Sequence, residues 1–144
     1  MKILVINGPN LNILGKRDEA KYGKISWEKI AIQLKKIANN SNCTINFFQS
    51  NCEGKIIDFL QSKKADNADG VLVNPGALTR YGYSLRQALV DFNKPFIEIH
   101  MSEIDKTGIH RHLNVFEDIR LMQISGLKEK SYYKGLIKLI NYLK

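Results

Sequence analysis

Apolar positions along this chain fall into two alternating kinds of run. The short, nearly continuous runs are Ile3-Leu4-Val5-Ile6, Thr44 to Phe48, Val71-Leu72-Val73, Phe96 to His100 and Leu121-Met122-Gln123-Ile124. They have the length and the β-branched or aromatic content of strands. Between them, apolar residues sit three and four apart, as on one face of a helix. Trp27, Ile30, Ala31, Leu34, Ile37 and Ala38 follow a capping Ser26. Ile56, Ile57, Phe59 and Leu60 follow Ser50-Asn51-Cys52-Glu53, which has capping-box form. Leu85, Ala88, Leu89 and Phe92 mark a helix from about Ser84, and Tyr133, Leu136, Ile137, Ile140 and Leu143 mark a last one. Strands alternating with helices predict a doubly wound, five-stranded parallel sheet covered by helices on both faces, within a single catalytic domain spanning residues 1–144. In such a sheet a ligand sits beyond the carboxyl ends of the strands.

Two stretches do not fit either rhythm. Residues 101 to 120 are irregular and charged. Asn7 to Gly23, NGPNLNILGKRDEAKYG, is a connection long enough in a small domain to imply a use. It begins with amides at Asn7, Asn10 and Asn12 beside a Gly8-Pro9 turn. It continues with Arg17 and Tyr22 between glycines, the pattern of a polar platform followed by a mobile lid.

The formal net charge of +8 raises the question of nucleic acid, but the lysines are scattered over helix faces and the C-terminal end, with no basic stripe interleaved with aromatics. The expected partner is a small anion, not nucleic acid or a membrane. Cys43 and Cys52 have neither CxxC nor metal spacing, and no apolar run approaches the ~20 residues of a membrane span. The expectation is a soluble, cytoplasmic protein with reduced thiols.

Three strand ends carry polar clusters: Asn7 and Asn10; Asn74 with Pro75-Gly76-Ala77; and Glu98 and His100 followed by Ser102. Glu98 and His100, two apart on a strand, point to one face, so the carboxylate can orient the imidazole. A free phenol ionises near pH ~10, so a tyrosine acting as a base near neutrality needs roughly 3 to 4 kcal/mol in favour of its phenolate. A guanidinium at ~4 Å supplies about that at an effective dielectric near 20, which makes Arg17 and Tyr22 a candidate pair. Arg111 is an available anion anchor. No GxGxxG, GxxxxGK[ST] or GxSxG motif is present, and no metal-ligand set. A phenol, an imidazole, amides and arginines suit proton abstraction and elimination from a small anion, without cofactor or metal.

The segments VINGPNLNILGKRDEAKYG, FFQSNCEGKIIDFL, GVLVNPGALTRYGYSLRQAL and PFIEIHMS closely resemble, in order and spacing, type II 3-dehydroquinate dehydratase. The likeness runs over roughly residues 1 to 112 and is weak over the last quarter. It implies a flavodoxin-like fold and reversible anti elimination of water from 3-dehydroquinate through an enolate, in the shikimate and quinate pathways. It implies Tyr22 as the base, Arg17 as its activating neighbour, and His100 as the acid for the departing hydroxyl with Glu98 holding its ring. Asn10 would position a water against the enolate oxygen. Asn74, Ser102 and the Met101 and Ser102 amides would meet the substrate carboxylate and hydroxyls, with Arg111 on a ring hydroxyl. It also implies trimers assembling into a dodecamer. The chain departs from the family pattern in four places. Arg80 replaces a histidine and can still bind a substrate hydroxyl but cannot accept its proton. Gln87 replaces an acidic residue that reaches a neighbouring subunit, and Glu103 and Thr107-Gly108-Ile109 replace other polar residues. These departures leave open a non-catalytic or altered-substrate relative that binds a related cyclic carboxylate.

Overall fold

In the computed structural model, which describes residues 1–106 and 108–144, the strands are β1 (Lys2–Asn7), β2 (Thr44–Gln49), β3 (Gly70–Asn74), β4 (Phe96–Ile99) and β5 (Met122–Ile124). They form one sheet in the order β2-β1-β3-β4-β5, and every neighbouring pair is parallel. The helices are α1 (Glu19–Tyr22), α2 (Trp27–Asn40), α3 (Glu53–Leu60), α4 (Tyr83–Phe92) and α5 (Lys130–Leu143). Thr107, one of the departures noted above, lies outside the described residues.

The continuous apolar runs are explained by burial on both sides. Ile3, Val5, Leu72, Ile97 and Ile99 pack with Leu34, Leu136 and Leu139 of α2 and α5 on one face. Their neighbours Leu4, Ile6, Val71, Val73 and Phe96 pack with Ile56, Leu60, Leu85 and Leu89 of α3 and α4 on the other. With period-two geometry, a strand covered on both faces must be apolar at every position. Glu98 breaks the rule on β4, and its partners are described below.

Several expected details change. The long first connection contains a turn of helix, α1, capped by Asp18, whose carboxylate accepts from Ala20 N at 3.0 Å. Ser26 occupies the N-cap of α2 without a side-chain bond to the backbone. Ser50 and Glu53 do not close a capping box: Cys52 is the N-cap of α3, and Ser50 Oγ accepts from Cys52 N at 3.0 Å. The Glu53 carboxylate instead reaches across to accept from Leu85 N at 2.9 Å, capping the neighbouring helix α4. A tertiary acceptor for an orphan N–H of α4 outcompetes the local box. Strand β4 stops one residue before His100, and β5 starts at Met122. A short 3₁₀ turn, Ile104–Lys106, interrupts the irregular stretch. Among the described residues, no helix is long and apolar enough to cross a membrane.

The carboxyl ends of β1 and β3 are forced together. Asn7 pairs with Asn74 in the sheet register, and Gly8 N donates to Asn74 O at 2.8 Å. A Cβ on Gly8 would stand 2.5 Å from the Pro75 carbonyl oxygen, and one on Gly76 would stand 2.9 Å from that of Pro9. The two turns therefore touch backbone to backbone, a proximity that side chains would prevent. Gly8→Ala is expected to lower stability by about 1–3 kcal/mol through overpacking against rigid main chain. Urea unfolding should show a lower midpoint at unchanged slope; an unshifted midpoint would refute this close contact.

Candidate active site

The strand ends open onto a cavity of about 240 Å³ lined by Asn10, Arg17, Tyr22, Asn74, Arg80, His100, Met101 and Ser102, together with backbone from both turns. His100, which lines it, is only 3% exposed, and Glu98 behind the ring is 0% exposed. His100 Nε2 lies 2.7 Å from Glu98 Oε1, as strand spacing led us to expect. With Nε2 engaged, Nδ1 is the ring nitrogen left for the cavity.

Glu98 is held by far more than His100. Oε1 also accepts from Thr79 Oγ1 at 2.6 Å, and Asn114 Nδ2 donates to both carboxylate oxygens at 3.0 Å. Arg120 Nη1 forms an ion pair with Oε2. The same Nη1 donates to Gln123 Oε1 at 2.7 Å, which also accepts from Asn114 at 3.0 Å. Burial on its own would raise the Glu98 pKa. The hydrogen bond and charge of His100, with the donors Thr79 and Asn114, outweigh it and hold the carboxyl at about 2. Thr79, Asn114 and Arg120 escaped the sequence reading because nothing in their local pattern names a partner 19, 16 or 22 residues away.

A second buried network lies under the β1 and β3 ends. Tyr132 of α5, itself 0% exposed, donates its hydroxyl to Asn7 Oδ1 at 2.8 Å and accepts from Asn74 Nδ2 at 2.8 Å. Burial drives the Tyr132 phenol strongly upward, so it remains a neutral donor. Asn74 Oδ1 in turn accepts from Gly76 N at 3.2 Å. The amide of Asn74 is thus fixed in orientation; periodicity placed Tyr133 on the buried face of the last helix, whereas the fully buried tyrosine is its neighbour Tyr132.

On the opposite wall, Arg17 Nη2 donates to the Tyr22 hydroxyl at 2.9 Å, and its guanidinium carbon stands 3.7 Å from the Tyr22 ring centroid. The same cation therefore binds both the ring face and the oxygen. Asn10 sits in the left-handed region (φ 68°), and its N–H donates to Asn51 Oδ1 at 2.9 Å. The Met101 and Ser102 carbonyls accept from Lys128 N and Gly126 N, which fixes the main chain of these two residues where they line the cavity.

Two residues stand differently from expectation. Arg80 lines the cavity but spends its guanidinium on main-chain carbonyls: Nη1 donates to Leu113 O at 2.5 Å and Arg111 O at 3.1 Å, and Nη2 to Ile104 O at 2.6 Å. Arg111 is exposed outside the cavity, contributing that carbonyl. Gln87 is also exposed, on the outer face of α4, where its amide donates to Asp91 at 2.9 Å. Cys43 is buried and Cys52 exposed, and both are free.

An open parallel α/β sheet with a small polar crevice at its strand ends, in which a guanidinium-bound phenol faces a carboxylate-bound imidazole, defines an acid–base site for a small anion. The chain matches the class II dehydroquinase family over residues 1–140 and belongs to that family. The match extends through most of α5, beyond the first three quarters where the motifs are most evident. It is 44% identical over 144 residues to the 3-dehydroquinate dehydratase of Carboxydothermus hydrogenoformans, covering 100% of this chain and 93% of that protein. It is 45% identical over 143 residues to that of Francisella philomiragia, covering 99% and 97%. The crystal structure of type II dehydroquinase from Butyrivibrio crossotus superposes with a TM-score of 0.91 at 39% identity, covering 98% of this chain and 97% of that one.

A carboxyl held down to about 2 contributes stability that is fully present above its unfolded pKa of ~4.3 and is lost as pH falls through the folded value. The difference corresponds to roughly 3 kcal/mol. Glu98→Gln is therefore expected to reduce the fall in unfolding free energy between about pH 5 and pH 2 by that amount. Denaturant titrations across this range check it, and parallel curves for the two proteins would contradict the assignment.

Proposed function

We propose that this protein catalyses the reversible elimination of water from 3-dehydroquinate to give 3-dehydroshikimate, with Tyr22 and His100 as base and acid. The observation that carries the reading is that the bonded Arg17–Tyr22 pair and His100, itself bonded to Glu98, line one small cavity at the strand ends. Tyr22, as phenolate beside the Arg17 guanidinium, takes the C2 proton of the substrate. The electron pair moves onto the carbonyl oxygen as an enolate, stabilised through a water held by Asn10. Collapse of the enolate expels the C1 hydroxyl, which leaves as water with a proton from His100 Nδ1, while Glu98 fixes the ring. Asn74, Ser102 and the Met101 and Ser102 amides receive the substrate carboxylate and hydroxyls.

Arg80 reaches a substrate hydroxyl only with the donors left over from its three carbonyl contacts. For Arg111 to grip a ring hydroxyl, its segment has to fold inward from the exposed position it holds. Residues 1–144 form a single catalytic unit in this reading, acting in the cytoplasm in aromatic amino-acid biosynthesis. We infer further that it works as a homo-oligomer of trimers building a dodecamer; exposed Tyr83 and Val90 on α4 offer apolar surface for subunit contact. Light scattering should give the mass of twelve chains, and a monomer at micromolar concentration would rule out the assembly.

Turnover of 3-dehydroquinate, read as growth of the ultraviolet absorbance of the conjugated enone, tests the reaction. Wild type should be active, and Tyr22→Phe and His100→Ala should each lose about 10²–10⁴-fold in kcat with KM changed only a few-fold. An inactive wild type would sink the reading, and for either variant an effect confined to KM would remove that residue from the chemistry.

A further inference from the structure

The Glu98 carboxylate lies between two groups, the imidazole of His100 at Oε1 and the guanidinium of Arg120 at Oε2. A buried carboxylate opposite imidazole alone would hold the ring proton strongly, because the ion pair is formed where water cannot screen it. Here Arg120, only 14% exposed, pairs with the other oxygen of the same carboxylate, and its Nη1 is also bonded to Gln123 Oε1. Nothing in the elimination requires Arg120 to touch substrate, and it does not line the cavity.

We propose that Arg120 is a positioning residue that shares the Glu98 carboxylate with His100 and thereby sets how readily His100 gives up its proton. With the carboxylate charge countered from behind, the imidazolium gains less from Glu98 and is the stronger acid. The other groups facing the pair do not replace this effect. Thr79, from the turn after β3, and Asn114, from the segment before β5, are neutral donors to Glu98. Arg17, Tyr22 and Arg80 line the same cavity as His100, and exposed Asp105 accepts from Gln123 Nε2 at 2.8 Å. Arg120 is therefore the one cation in direct contact with Glu98 besides a protonated His100 among the described residues.

The kinetic side of this inference rests on His100 as the acid proposed above, so the first readout is independent of turnover. The His100 ring is followed by NMR through a pH titration of the substrate-free protein, with exposed His110 and His112 as internal references. In Arg120→Gln, which keeps a neutral donor, the pH at which the His100 ring loses its proton should rise by about one unit, while Arg120→Lys, which keeps the charge, should move it much less. A folded Arg120→Gln with an unmoved ring, or an equal shift in Arg120→Lys, would overturn the inference. Should Arg120→Gln fail to fold, Gln123→Leu, which frees the guanidinium from its second acceptor, must shift the ring the same way by a smaller amount, and an unmoved ring again overturns it. The alkaline limb of kcat should follow the ring, with kcat about tenfold lower at its plateau. A ring that shifts without the limb leaves Arg120 in its role and removes His100 as the acid.

Discussion

A carboxylate in the middle of a covered sheet is the constraint around which this molecule is arranged. Glu98 stands on β4 where two-sided burial otherwise demands an apolar residue, and an isolated charge there would cost several kcal/mol. The chain supplies donors from four places: the turn after β3 through Thr79, the residue after β4 through His100, and two points of the irregular segment through Asn114 and Arg120. Those bonds anchor the irregular stretch from Asn114 to Arg120 against the buried carboxylate. Val115 and Phe116 anchor the same segment in the core beside Phe96, and Arg86 pins it to α4 through Asp118 and the Val115 carbonyl.

The fold was legible because its signals are periodic and local. Continuous apolar runs at Ile3–Ile6 and Val71–Val73 have one explanation, burial on both faces, and the helices between them repeat at three and four. Errors occurred where a side chain had a choice of partner. Glu53 matched a local capping box, yet its carboxylate bonds Leu85 N, 32 residues away, because α3 and α4 pack side by side. Spacing along the chain cannot weigh that competitor. The site divides in the same way. The Glu98–His100 and Arg17–Tyr22 pairs lie within five residues of one another and could be read from spacing. Arg120, Asn114, Thr79 and Tyr132 are brought in only by tertiary packing.

The two buried networks answer different geometric needs. Around Glu98 the issue is charge, and every donor is aimed at one carboxylate. Around Tyr132 the groups are neutral, and the phenol serves as a hinge pin between the ends of β1 and β3. Its hydroxyl can donate once, to Asn7, and accept from Asn74, so the direction of each amide is set by the chain of bonds. The backbone contact of Gly8 with the Pro75 turn fixes the same two strand ends from above.

Rigidity below and exposure above then follow from how much surface each half can bury. Asn7, Asn74, Glu98 and His100 are held by partners inside a packed sheet, where displacing one group leaves others unpaired. Arg17 and Tyr22, each partly buried, lie in an otherwise exposed segment between Gly15 and Gly23, both at positive φ; Tyr22 closes helix α1, Arg17 precedes it, and the two bond each other. A pair that carries its own partner can move as a unit without losing the bond between guanidinium and phenol oxygen. The groups on the floor cannot, because their partners come from distant parts of the chain. In the proposed reaction, which must admit a ring-sized anion and then exclude water, this division leaves the proposed acid, His100, fixed at a strand end and the proposed base, Tyr22, on an exposed segment.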